Sequence, residues 1–262
     1  MYSILSELLE DKKDGAVFTC FGLTHWIFIF LVLGAIALSV VLLREKGQDT
    51  RDRVARCFGN AAFFLYVADF FLMPFAYGEI DIDKLPFHAC TGMCVMCFLS
   101  NHNRFLSKYR LNFTLLGLMA NLCYLAYPAG VMWYEIGPLS YRVLQTMTFH
   151  SCMAVYGILT VTYHYREMTL KSSFRNLPVL LLMTAWAFLG NTLYSGERGD
   201  YSHDFNWFFI KQDPFYLLPA DIAPYLAPVL NYIAFFAMEL LVYLICHTVA
   251  KCVGERRINK IA

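Results

Sequence analysis

Charged residues are scarce in this chain. Asp, Glu, Lys and Arg together make up 16% of its 262 residues, whereas soluble domains contain about 25%. Hydrophobic residues reach 58% and the mean hydropathy is +0.49, which excludes a disordered chain and an ordinary soluble enzyme. The surplus of apolar surface has to face something other than water, and a lipid bilayer is the environment that accepts it.

Several other features are missing. The formal net charge is only +1 and no run of Lys and Arg occurs, so we expect no nucleic-acid partner. Three motifs are absent: a Gly-rich phosphate loop, a GxSxG nucleophile elbow and an HExxH zinc motif. There is no linker or low-complexity tract, so residues 1–262 are predicted to form a single integral-membrane domain with no cofactor.

Long apolar segments are what the sequence does contain. A helix needs about 20 mostly apolar residues to cross a bilayer, and seven segments are candidates. They cover residues 21–43, 57–77, 85–101, 112–131, 142–165, 175–194 and 223–249. The sequence therefore predicts an all-α polytopic membrane protein with about seven transmembrane helices.

Lys and Arg are distributed unevenly among the connections. Of the 21 basic residues, 15 follow the first, third, fifth and seventh predicted spans, and 6 lie on the opposite side. Because cytoplasmic loops are enriched in Lys and Arg, this split predicts an outside N-terminus and a cytoplasmic C-terminus.

Polar side chains inside the apolar spans concentrate towards one side. An ionisable group in a membrane is costly and marks a candidate site. These residues are His25, Asp69, His88, Cys90, His150, Asn191 and Glu239. All except Glu239 fall in the outer half of their spans, which predicts one cavity open to the outer side. The apolar segment 206–214, which includes Asn206, is too short to span and is predicted to cap this cavity.

A Cys and a His in one cavity are compatible with two chemistries. The first is nucleophilic acyl transfer, in which a base removes the thiol proton and the thiolate attacks an ester. The second is metal binding, since Cys90, Cys94 and Cys97 share one helix face. Three thiolates on one helix make a poor tetrahedron, so no metal site is predicted.

Residues 85–90, with the sequence LPFHAC, resemble the LPLHLC motif of the YwaF-like family of bacterial integral membrane proteins. Asn206-Trp207, followed by Pro214, is similar to a second signature of that family. A His that opens the first span and a deep His in the fifth also match, here His25 and His150. The resemblance covers residues from about 20 to 250 and implies a bacterial cell membrane as the location.

That family is in turn distantly similar to an animal transmembrane acyltransferase family that remodels ether phospholipids. The resemblance implies a membrane lipid as substrate, Cys90 as the acyl-carrying nucleophile and His150 as its base. The animal element has a His directly after the Cys, whereas Thr91 follows Cys90 here.

The working hypothesis is therefore a lipid acyltransferase or acyl hydrolase. Asn191 or Asn206 is expected to donate to the oxyanion. We expect His88 either to support the residues of the site or to contact a headgroup, Asp69 to orient a His and His25 to lie at the membrane interface. The alternative is a small-molecule transporter or receptor-like binding bundle without covalent chemistry. Glu239 favours the alternative, because proton-coupled carriers use such groups.

Overall fold

The computed structural model of the chain describes residue 9 and residues 15–77, 82–198, 201–213 and 217–258. The helices are α1 (Leu23–Leu43), α2 (Gln48–Tyr77), α3 (Ala89–His102), α4 (Arg110–Ala126), α5 (Ala129–Met132), α6 (Tyr141–His164), α7 (Leu170–Ser173), α8 (Asn176–Tyr194) and α9 (Ala223–Ile258). Single 3-10 turns occupy Ile82–Lys84, Leu106–Tyr109, Tyr165–Glu167 and Trp207–Phe209. The described strands are β1 (Gly196–Arg198) and β2 (Tyr201–His203), which pair antiparallel with Arg198 opposite Tyr201. Apart from this short hairpin, the described fold is all helical, as the sequence predicts.

The chain divides into two compact units, residues 1–160 and residues 161–262. The boundary falls near the end of α6. The sequence predicts that residues 1–262 form a single domain. Whether the two units combine into one domain stays a prediction.

A helix lies at each of the seven predicted spans, but the helices differ in kind. Among the described residues, four helical segments are long and apolar enough to cross a membrane: Leu23–Leu43, Gln48–Phe75, Lys171–Tyr194 and Ala223–Ile245. The membrane-spanning character of the chain is thus clear, while the count of seven and the orientation of the termini stay predictions.

The other three helices are shorter or more polar. Helix α3 has 14 residues and α4 has 17, which at 1.5 Å per residue is about 21 and 26 Å, less than the ~30 Å hydrocarbon core. Helix α6 has 24 residues, but its first half carries Gln145, Thr146, Thr148 and His150. Such helices are suited to burial among other helices, where polar groups find partners.

Several helix boundaries differ from the sequence prediction. Helix α9 continues to Ile258, nine residues beyond the predicted end at 249, and α3 begins at Ala89, four residues after the predicted start at 85. Helix α2 begins at Gln48, nine residues before the predicted start at 57, because the polar segment 48–56 continues the helix beyond the apolar stretch. Helix α4 ends at Ala126, five residues before the predicted end at 131. Pro128 follows two residues later, and the backbone resumes as the short helix α5.

Helix α1 is apolar around most of its circumference, and most of its surface is exposed. Leu23, Phe30 and Leu38 are each more than half exposed. A helix with apolar residues on every face needs an apolar environment on every face. Lipid supplies it here.

The interior of the first unit forms where α3 packs against α4 and α2. Met93, Cys94 and Cys97 line the buried side of α3, and the ring of Phe98 stacks on Phe63 of α2 with centroids 3.8 Å apart. This packing fixes α3, whose first turn carries Cys90.

Helices α4 and α6 pack closely at Gly157. A Cβ atom at this position would lie 2.7 Å from Leu118 Cβ, and the backbone would have to move to relieve the contact. We therefore expect Gly157→Ala to lower the free energy of unfolding by about 1–3 kcal/mol, measured by thermal or denaturant unfolding in detergent. Gly34→Ala on α1 is the matched control, since nothing lies within 4 Å of its added Cβ. Equal stability of the two variants would contradict this close contact.

The second unit is built from α8 and α9 together with the hairpin and the segment that follows it. The Asn176 amide donates to Glu239 Oε2 at 2.5 Å, and Thr184 Oγ1 lies 2.6 Å from the Tyr232 hydroxyl. Both contacts join α8 to α9. Glu239 is therefore a buried carboxyl group with an amide partner.

Candidate functional site

His25 lies at the start of α1 with both ring nitrogens engaged. Its Nε2 donates to the carbonyl of Leu125 at 2.7 Å, and its Nδ1 accepts from the backbone N–H of Phe21 at 2.8 Å. The side chain is completely buried within the protein, and its position at the membrane interface stays a prediction. His25 connects the beginning of α1 to the end of α4, and neither nitrogen is left for proton transfer.

His150 on α6 has one nitrogen engaged and is almost completely buried. Its Nδ1 lies 2.6 Å from Asn121 Oδ1. The Asn121 amide nitrogen donates to the Gly117 carbonyl at 2.6 Å, which assigns Oδ1 as the acceptor facing the imidazole. The hydrogen therefore sits on Nδ1, and Nε2 carries the lone pair that a general base requires.

Tyr124 restricts the rotation of the same imidazole. Its ring stacks on His150 with centroids 3.7 Å apart and an angle of 9° between the planes. Asn121 and Tyr124 are three residues apart on α4, so they lie on one helix face. Helix α4 thus fixes both the tautomer and the orientation of His150.

Asp69 on α2 forms an ion pair with Lys84. Lys84 Nζ lies 2.8 Å from Asp69 Oδ2, and the carboxylate is 1% exposed. The Tyr66 hydroxyl donates to the Lys84 carbonyl at 2.8 Å. These contacts hold Lys84, the residue directly before the LPFHAC segment, against α2.

The LPFHAC segment leads into α3. His88 is the N-cap residue, and Cys90 lies in the first turn of the helix. Cys90 is a half-buried free thiol. The N-terminus of a helix carries a partial positive charge, so negative charge that forms on Cys90 or beside it is stabilised there.

Lys84, His88, Cys90, Tyr124 and His150 lie in one neighbourhood, which is called the cluster below. Lys84 lies within electrostatic range of both Cys90 and His150, and His88 lies within that range of His150. Cys90 lies within electrostatic range of Tyr124, whose ring stacks on His150. In the described part of the chain no hydrogen bond joins the Cys90 thiol to the His150 imidazole.

Asn191 and Asn206 belong to the second unit, and both stabilise the segment after the hairpin. Asn191 Oδ1 accepts from the Trp207 N–H at 2.8 Å. Asn206 Oδ1 accepts from the Lys211 N–H at 2.9 Å, and its amide donates to the Gln212 carbonyl at 2.7 Å. The segment is therefore an ordered turn with Trp207 and Phe208 buried. The predicted cap extends to residue 214, which lies outside the described residues, and its position over a cavity stays a prediction.

The model of the TMEM164 family, a family of transmembrane proteins, matches residues 20–249. The chain belongs to the TMEM164 family. It is an integral membrane protein, in agreement with its apolar helices and as the sequence predicts. Comparisons with curated proteins and with solved structures find no match. The YwaF-like relation, the bacterial location and the acyltransferase relation stay predictions.

This TMEM164 family member contains site residues that sequence reasoning missed. Asn121 and Tyr124 position His150, and Lys84 pairs with Asp69. The signal for Asn121 was present, since it is a polar amide in the middle of the predicted span 112–131, as His150 is a polar side chain within its own span. Lys84 lies in a connection, where a charged residue carries no such signal.

The cluster offers no set of metal ligands. Across the described residues, no group of three or more His, Cys, Asp or Glu side chains is arranged to hold a metal ion. Cys90, Cys94 and Cys97 are free thiols. The chemistry available to the cluster is that of one thiol, one oriented imidazole and a nearby ammonium group.

Proposed function

We propose that this protein transfers or hydrolyses acyl chains of a membrane lipid, with Cys90 as the nucleophile and His150 as the base. The observation that carries the proposal is the orientation of His150 by Asn121 in the cluster that contains Cys90. Cys–His–Asn sets of this kind activate thiols in unrelated hydrolases.

The first half-reaction acylates Cys90. His150 Nε2 accepts the thiol proton, and Sγ attacks the carbonyl carbon of a lipid ester. When the tetrahedral intermediate collapses, the C–O ester bond breaks and the leaving alkoxide takes the proton from His150. The products are a lysolipid and a thioester on Cys90.

The second half-reaction releases the acyl chain. A lysolipid hydroxyl or water loses its proton to His150 and attacks the thioester carbonyl. The C–S bond breaks, and the Cys90 thiolate recovers the proton from His150. A lysolipid acceptor makes the reaction a transfer, whereas water makes it a hydrolysis.

One feature favours the oxyanion of the intermediates. The first-turn N–H groups of α3 provide partial positive charge beside Cys90. The charge of Lys84 lies nearby but is paired with Asp69. Asn191 and Asn206 belong to the second unit and hold the segment after the hairpin, so their expected role as oxyanion donors stays a prediction. Because catalytic hydrogen bonds are often long before substrate binds, the missing Cys90–His150 contact is compatible with this mechanism.

Intact-protein mass spectrometry tests the proposal. After incubation with phospholipid, the wild-type protein is expected to gain an acyl-sized mass that hydroxylamine removes. Cys90→Ala should gain none. Cys57→Ala is the matched control, because Cys57 is an exposed free thiol on α2 and its variant should be acylated like the wild type.

Two results would contradict the proposal. One is an adduct that persists in Cys90→Ala, which would assign the acyl group to another side chain. The other is the absence of an adduct, together with the absence of ester turnover, across several lipid classes. The second result would favour a transporter or binding bundle.

A further inference from the structure

A second polar site lies in the first unit, at the α2–α3–α4–α6 corner opposite the LPFHAC segment along α3. It is a shallow cleft with about 160 Å³ of space between its side chains, part of which is open solvent, and it encloses no water-sized cavity. Its lining residues, which define the Arg56 cleft, are Asp52, Ala55, Arg56, Asn101, Arg110, Tyr156 and Thr160.

Asn101 presents an uncommitted donor in the cleft. Its Oδ1 accepts from the Tyr156 hydroxyl at 3.4 Å, and that hydroxyl accepts from Thr114 Oγ1 at 3.1 Å. This chain of hydrogen bonds sets the orientation of the Asn101 amide. Its Nδ2 is buried and has no hydrogen-bond partner. A buried donor without a partner is costly, and a bound acceptor would remove that cost.

The two arginines give the cleft a positive balance. Arg110 lies 3.7 Å from Asp52, so one cation is paired. Arg56 is half-buried and has no ion-pair or hydrogen-bond partner in the part of the chain that the structure describes. With Asp52 counted against Arg110, the cleft keeps one uncompensated positive charge.

We propose that the Arg56 cleft binds a phosphate group. Guanidinium groups present paired N–H donors that match the oxygens of phosphate. Arg56 supplies the charge, Asn101 Nδ2 donates a further hydrogen bond, and Asp52 holds Arg110 in place. Thr160 adds a hydroxyl at the wall of the cleft. The uncompensated charge of Arg56 favours an anion over a cation.

The surroundings of the cleft match a phosphate carried by a lipid headgroup as well as a soluble phosphate. Arg51, Arg53, Arg104 and Lys108 follow the first and third predicted spans, on the side predicted to be cytoplasmic. Basic pockets between transmembrane helices on that side bind anionic headgroups. The site does not involve Cys90 or His150, so the test of phosphate binding is independent of the proposed acyl transfer.

Titrations followed by native mass spectrometry in detergent test this site. The probes are dihexanoyl phosphatidic acid, dihexanoyl glycerol and glycerol 3-phosphate. We expect the phosphatidic acid to bind at least about tenfold more tightly than the diacylglycerol, which is the effect of one charge-assisted hydrogen bond. Glycerol 3-phosphate that binds as tightly as the phosphatidic acid identifies a soluble phosphate site. Much weaker binding of glycerol 3-phosphate identifies a lipid headgroup site.

Variants locate the binding. Arg56→Gln should weaken phosphatidic acid binding roughly 10- to 100-fold. Arg56→Lys keeps the charge without the paired donors, so its affinity should lie between those of the wild type and Arg56→Gln. Arg53→Gln is the matched control, since it removes the same charge from an exposed position one turn away. Thr160→Val provides a second variant if Arg56→Gln unfolds.

Three outcomes overturn the proposal. The first is equal binding of dihexanoyl glycerol and phosphatidic acid, which would show that the acyl chains carry the affinity. The second is equal weakening by Arg53→Gln and Arg56→Gln, which would show a diffuse charge effect. The third is the absence of phosphate-dependent binding by the folded wild-type protein.

Discussion

The His150→Gln variant is expected to acylate Cys90 about 10²–10⁴-fold more slowly than the wild type, the range for loss of a general base. Glutamine fills a similar volume but cannot take up the thiol proton. The variant should therefore be folded and nearly inactive. The measurement is the rate of appearance of the thioester mass after lipid is added.

The pH dependence separates loss of the base from loss of structure. A thiol that is ionised by high pH needs no base, so raising the pH should narrow the difference between the acylation rates of His150→Gln and the wild type. Asn121→Leu should slow acylation less than His150→Gln does. It removes the acceptor that fixes the tautomer of His150, but the imidazole itself is still present. His102→Gln, an exposed His at the end of α3, should behave like the wild type.

A rate for His150→Gln that stays low at every pH, or a rate that equals the wild-type rate, would remove His150 from the role of base. The first result assigns it to folding or substrate binding. The second leaves Cys90 to another base.

The helical architecture and two members of the cluster were accessible from the sequence. Long apolar stretches predict helices, because an exposed backbone polar group in lipid is too costly. Cys90 and His150 stand out because a polar side chain within such a stretch has few solvated positions to occupy. Their shared membrane layer followed from counting residues and stays a prediction.

The partners were harder to predict. Asp69 and Lys84 are 15 residues apart on different elements, and nothing in the local pattern pairs them. The role of His25 depends on the carbonyl of Leu125, 100 residues away. Such contacts follow from how helices pack, and periodicity within one helix does not contain that information.

Span counting also reaches a limit at α3, α4 and α6. A hydropathy pattern cannot distinguish a helix that faces lipid from one that is buried among other helices. Helices α3 and α4 are too short to cross the hydrocarbon core unaided. Helix α6 places polar side chains against other helices. The count of seven therefore depends on how these three helices are accommodated.

The Lys84→Met variant is expected to lose about 3–5 kcal/mol of stability, the range for removing one partner of a buried ion pair. Asp69 is 1% exposed and Lys84 is 17% exposed, so the carboxylate would be left buried without its cation. Thermal unfolding in detergent measures the loss. Lys46→Met is the matched control, because Lys46 is exposed in the connection between α1 and α2.

The double variant Asp69→Asn/Lys84→Met tests whether the loss of stability in Lys84→Met comes from the broken ion pair. Neutralising Asp69 removes the buried charge, so the double variant should be more stable than Lys84→Met alone. The coupling between the two substitutions is then the signature of the pair. Additive losses would mean that Lys84 stabilises the protein through contacts other than Asp69. In that case the ion pair would not be what holds the LPFHAC segment, and with it the first turn of α3, against α2.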